Sequence, residues 1–207
     1  MSALKEHFTL LRSFLHSGFR VCILLSAAGF LAAGVAGYFI GNMSPETVES
    51  VIGYFMATVE QSGVIEDDGT ISTFALLANN WSAMLISVLY GLIPFAFLPV
   101  SSLLINGFIL GITGAMYQSY GQTLALWLSA LLPHGIFEIP ALILSIACGA
   151  YLCVQISKLI LRYPNRAPML EVFCNVLRVM LLLVAPLTIA AAFVEAYITP
   201  VIMSFFI

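Results

Sequence analysis

From Val21 to Ile40 the chain runs for about 20 residues without a charged side chain, the length an α-helix needs to cross a hydrocarbon core about 30 Å thick. No water reaches the backbone N–H and C=O groups there, so they must be satisfied within the segment. A helix does this. The pattern recurs along the chain: reading with a window of about 20 residues gives about five spans, at about 20–41, 72–97, 100–118, 136–161 and 171–194. The composition agrees, with 61% hydrophobic and 8% charged residues against roughly 25% charged in soluble domains. The expected fold is therefore all-α, a polytopic transmembrane helical bundle forming a single domain over 1–207. Its first partner is the lipid bilayer and its place is a cell membrane. There is no basic run for nucleic acid. Cys22, Cys148, Cys153 and Cys174 lie in apolar segments without a CxxC pair, which fits small buried hydrophobes better than a disulfide framework or a metal site. No cofactor and no metal is expected.

The first span is too long for a secretory h-region, which covers about 7–15 residues, so it is expected to be retained. Ahead of it, residues 1–19 form an amphipathic lead-in, with Leu4, Phe8, Leu11, Leu15 and Phe19 on one helical face. A helix lying on the cytoplasmic leaflet and anchoring the first span fits that pattern. Lys5, Arg12 and Arg20 precede the first span, and Lys158, Arg162 and Arg166 separate the fourth from the fifth. Five crossings place both clusters on one side, which the positive-inside rule makes cytoplasmic, with the N-terminus inside. A sixth crossing is the main alternative. The segment 42–71 then faces out. It opens with a capping pattern, Ser44 followed by Pro45, Glu46 and Glu49. Apolar positions follow at Val48, Val51, Ile52, Phe55 and Val59, so an amphipathic surface helix is expected, ended by a solvated turn at Glu66, Asp67 and Asp68.

Gly29, Ala33, Gly37 and Gly41 recur at intervals of four in the first span, and Gly107 and Gly111 in the third. Small residues at this spacing let helix backbones approach closely. They serve contacts within one chain or between two copies, with a lean toward self-association of the first helix.

Polar groups at membrane depth are costly and mark protein interiors or cavities. They occur at Asn79 and Asn80, at Asn106, and in "PHGIFE" with His134 and Glu138. Pro133 removes a backbone donor and Gly135 permits unusual dihedrals, so a break between two helical pieces is expected there. The short run 122–132, about 11 residues, would be a separate interfacial helix, too short to cross. Asn79, Asn80, His134 and Glu138 are expected in the outer half of the membrane, with Glu195 near enough to join them and Asn106 apart. Three readings stand: a hydrogen-bond network clipping the broken helix to the second span, a cavity binding a proton, cation or polar solute, or an acid/base pair, or a metal site completed by another ligand. With no HExxH and no GxSxG motif, an enzyme is not expected.

The order "NNW" (Asn79, Asn80), "LLINGFILG" (Asn106, Gly107, Gly111) and "LPHGIFEIPA" (Pro133, His134, Gly135, Glu138, Ala141) resembles the stage II sporulation protein M family over roughly 74–149. The resemblance implies a small multi-span membrane protein. For its founding members it implies a non-enzymatic scaffold or assembly factor that recruits peptidoglycan-degrading partners during engulfment of the forespore. On that reading the outer loop would meet envelope proteins. A small channel or transporter using the buried Asn/His/Glu cluster is the alternative.

Overall fold

A computed structural model describes residues 3–64, 71–164 and 166–206. Its elements are helices: α1 (Ala3–Leu15), α2 (Phe19–Met43), α3 (Pro45–Gln61), α4 (Thr73–Leu92, its last turn a 3₁₀ turn), α5 (Leu98–Ser119), α6 (Leu124–Ile160) and α7 (Met169–Met203). Five of them, α2 and α4 to α7, are long and apolar enough to cross a membrane, as the spacing of the apolar runs predicts.

The fourth span departs from expectation in length. α6 is one helix of 37 residues, about 55 Å at 1.5 Å per residue. It absorbs the expected interfacial helix at 122–132 and passes through Pro133 and Gly135 without a break. The physical reason is the solvent. A proline in a helix forfeits one hydrogen bond and crowds the carbonyl four residues earlier, but a true break would strand several groups where no water can reach them. Gly135 is not needed for an unusual backbone either, since a Cβ there would meet the side chains of Leu131 and Ile139 at ordinary contact distance. Thr123 starts the helix by accepting from Leu126 N–H at 3.2 Å, and Trp127 Nε1 donates to Thr113 Oγ1 of α5 at 3.1 Å.

α6 is also the central helix, packed against α2, α4, α5 and α7. Ala141, Ala147, Cys148 and Cys153 are fully buried along it. Around them close Phe19, Phe30, Met84, Leu103, Leu152, Val179 and Val184. All four cysteines are free thiols. Thr188 Oγ1 of α7 lies 2.8 Å from Val184 O of its own helix and 3.0 Å from Met84 Sδ of α4, its one proton within reach of both.

The small residues pair α2 with α5. A Cβ on Gly111 would collide with Gly34 O and stand 2.6 Å from Tyr38 N; one on Gly37 would collide with Phe108 O. A Cβ on Gly107 would come within 2.6 Å of Phe30 O and 2.9 Å of Ala33 Cβ, and one on Gly41 within 2.6 Å of Ala115 Cβ. Gly29 faces the Leu103 side chain. The face for which a second copy was a candidate is thus filled by α5 of the same chain, which presents a complementary small-residue stripe of its own.

α1 does more than lead in. Leu11 and Phe14 are buried, while Leu4 and Phe8 of the expected apolar face stay about half exposed. Phe14 stacks on Phe19 with centroids 4.5 Å apart, and both meet the edge of Tyr151 of α6. Arg178 of α7 donates to His7 Nδ1 at 3.3 Å and to Asn175 Oδ1 at 2.6 Å, and so ties α1 to the bundle. α3 begins as expected, with Ser44 Oγ accepting from Thr47 N–H at 3.4 Å and from Thr47 Oγ1 at 2.8 Å. Val48 is buried and Val51 and Ile52 half-buried; Phe55 is exposed beside Tyr54 and Met56. The acidic turn at Glu66, Asp67 and Asp68 lies outside the described residues, as does the side chain of Val59.

Candidate functional site

His134 and Glu138 sit one turn apart on α6, and helical geometry alone brings residues four apart onto one face. His134 Nε2 lies 3.8 Å from Glu138 Oε2. From α7, Glu195 joins them: one donor atom from each of the three residues falls within 4.8 Å of the others. Thr199, four residues beyond Glu195, places its Oγ1 at 3.3 Å from His134 Nδ1. Two residues at a spacing of four on α6 therefore face two at the same spacing on α7. Glu195 lies in a π-helical turn, Val194–Ile198; such turns insert a residue into a helix and are frequent at functional sites.

The trio lies toward one end of the bundle. About 20 residues separate Lys158 from Glu138 along α6, and about 17 separate Arg178 from Glu195 along α7, or about 30 and 25 Å of helix. If the basic residues mark one edge of a core about 30 Å thick, the trio stands just inside the other. The side chains of His134 and Glu138 keep 14% and 29% of their surface accessible. A cleft of about 180 Å³ lined by Ser13, Tyr151, Glu171 and Asn175 is a separate feature at the basic end.

The asparagines do not join. Asn79 is exposed, and Asn80 Nδ2 is buried without a hydrogen-bond partner. Among the described residues no hydrogen bond links either of them to His134 or Glu138, so the expected clip from the second span to α6 is replaced by contacts from α7. The reason follows from the unbroken helix: α6 keeps its own backbone bonds and frees few groups for side-chain amides to satisfy. Asn106 donates to Ser102 O of its own helix at 2.8 Å, next to the Ser87–Ser102 hydroxyl contact at 2.8 Å that joins α4 to α5. Its amide donor is thus engaged within α5. Because Asn80 Nδ2 is unpaired, Asn80→Leu should leave thermal stability unchanged or raise it by up to ~1 kcal/mol, which thermal unfolding in detergent would measure.

Reading the sequence missed Thr199 altogether and reached Glu195 only by depth. The shared spacing of four in "HGIFE" and "EAYIT" was the available signal, but it gains meaning only once α6 and α7 are known to face each other.

An imidazole and two carboxylates on two helices can share a proton, hold a cation or tie the helices together. Comparison with known proteins adds identity to this geometry. The chain is 30% identical over 131 residues to an uncharacterized protein of Methanocaldococcus jannaschii, an alignment covering 63% of this chain and 72% of that protein. No solved structure matches it. The family model described as stage II sporulation protein M matches residues 19–200, from the start of α2 nearly to the end of α7. With that match over most of its length, the chain belongs to the stage II sporulation protein M family.

Proposed function

We propose that the protein is a non-enzymatic membrane scaffold or assembly factor of the cell envelope, with α1 and the Lys158–Arg166 turn in the cytoplasm and α3 outside. The orientation rests on the clustering of Lys5, Arg12, Arg20, Lys158, Arg162 and Arg166 at loops that five crossings bring to one side. The observation that carries the scaffold reading is α3. This helix lies between two spans, packs Val48 against the bundle, and leaves Tyr54 at 77%, Phe55 at 39% and Met56 at 44% exposure. Aromatic and methionine side chains grouped on an extramembrane surface are the residue types that anchor protein partners. Site-specific photocrosslinking tests this reading. A crosslinker at position 54 or 56 in cells should yield discrete protein adducts that disappear with Phe55→Glu. Adducts absent from both positions, or equal at the lipid-facing position Leu31, would remove the scaffold's docking surface.

A second reading, a small channel or transporter, is favoured by one observation: His134, Glu138 and Glu195 converge at membrane depth. Charged and titratable groups in spans are the usual markers of ion pathways. The two readings separate on Glu138→Gln, which a transporter would not survive and a scaffold would.

A further inference from the structure

We infer that His134, Glu138 and Glu195 form a binding site for a divalent transition-metal cation of the Zn²⁺ or Mn²⁺ class, joining α6 to α7 near the membrane edge. This goes beyond the scaffold reading and does not depend on it.

Thr199 Oγ1 donates to Val194 O at 3.2 Å, and a hydroxyl has a single proton to give. With that proton on Val194 O, the contact with His134 Nδ1, at 3.3 Å, runs the other way, the imidazole N–H donating to the threonine oxygen. In a neutral imidazole one nitrogen carries the proton and the other a lone pair. In that tautomer Nε2 is the lone-pair nitrogen, 3.8 Å from Glu138 Oε2, with Glu195 closing the group. Three lone-pair donors facing one another repel unless a shared proton or a cation lies between them. Among the described residues no lysine or arginine pairs with either carboxylate. Protonating the imidazole would supply one positive charge for two carboxylates; a divalent cation balances both.

The donor set selects the ion. Imidazole nitrogen suits zinc, copper, iron and nickel, the two carboxylates also suit manganese, and calcium and magnesium prefer all-oxygen shells. One imidazole and two carboxylates give three protein ligands, leaving a coordination position for water. Ligand atoms bound to one tetrahedral zinc at about 2.0–2.2 Å stand roughly 3.5 Å apart. The observed spacing, up to 4.8 Å, needs about one ångström of closure, within reach of glutamate χ rotations. A ligating histidine commonly donates its other N–H to a fixed acceptor that sets its tautomer and orientation, and the Thr199–Val194 relay does this here. His134 and Glu138 both keep part of their side-chain surface accessible.

The test uses tag-free protein in nanodiscs, stripped with chelator and titrated calorimetrically with Zn²⁺, Mn²⁺ and Mg²⁺. One Zn²⁺ should bind per chain, with Mg²⁺ at least about 100-fold weaker. His134→Ala and Glu195→Gln should each weaken Zn²⁺ by more than tenfold. Thr199→Val, which removes only the orienting hydroxyl, should weaken it by about tenfold and serves if the other variants fail to fold. Zn²⁺ should also raise the melting temperature of the wild type and not that of Glu195→Gln. Absence of saturable Zn²⁺ binding would overturn the site. So would binding that survives both His134→Ala and Glu195→Gln, which would place the metal on thiols such as Cys22 or Cys174, and so would Mg²⁺ affinity equal to that for Zn²⁺.

Discussion

Gly111→Leu should abolish the folded protein, with a loss on the order of 4 kcal/mol or more. At this position a Cβ alone already meets the backbone of Gly34 and Tyr38. Backbone cannot rotate away as a side chain can, so α2 and α5 would have to separate along their whole contact. That contact matters because lipid supplies no hydrophobic drive to push helices together; close approach and dispersion must do it. Size-exclusion profiles in detergent should show aggregate in place of a monodisperse peak. Gly53→Ala is the control, since nothing lies within 4 Å of a Cβ there, and it should stabilise α3 by up to ~1 kcal/mol through helix propensity. Gly29→Ala should fall between the two, because its neighbour is the movable end of Leu103.

Phe19→Ala should cost about 3–5 kcal/mol, the range for emptying a buried aromatic site. Phe19 is fully buried, and its ring is one of three, with Phe14 and Tyr151, that join α1, the start of α2 and α6. The loss should be local as well as global. α1 keeps the Phe14–Tyr151 edge contact and its contacts with α7, including the Arg178–His7 hydrogen bond, but loses the stack that closes the turn, so proteolysis between Ser17 and Arg20 should rise in the variant. A melting temperature unchanged from wild type would contradict the packing described for this corner.

The five spans were legible because length and composition decide them: an apolar run of about 20 residues has one stable conformation in a bilayer. The α3 cap was legible for a similar local reason, since Ser44 and the residues after it carry the signal themselves. The rest depended on which helices face each other. The period-four glycines announced close approach but not its partner, and the partner is α5 of the same chain. Pro133 and Gly135 carried a break signal that holds in water and is overridden where exposed backbone has no solvent. α1 was placed on the correct side of the wheel only in part, because Phe14, buried in the structure, lies off the face traced by Leu4, Phe8 and Leu11. At the site, His134 and Glu138 were found by cost, as ionisable groups in an apolar span. Asn79 and Asn80 were found by the same rule and lie outside the group. Cost identifies unusual residues; only the packing of α6 against α7 shows that Glu195 and Thr199 complete the set.

Ion flux through purified protein in sealed liposomes tests the central claim most directly, with wild type and Glu138→Gln compared for protons, Na⁺, K⁺ and Zn²⁺. A scaffold whose His134–Glu138–Glu195 group holds an ion in place predicts flux no greater than that of empty liposomes for both proteins. Flux in the wild type that Glu138→Gln abolishes would contradict the account and make the trio a permeation or coupling site.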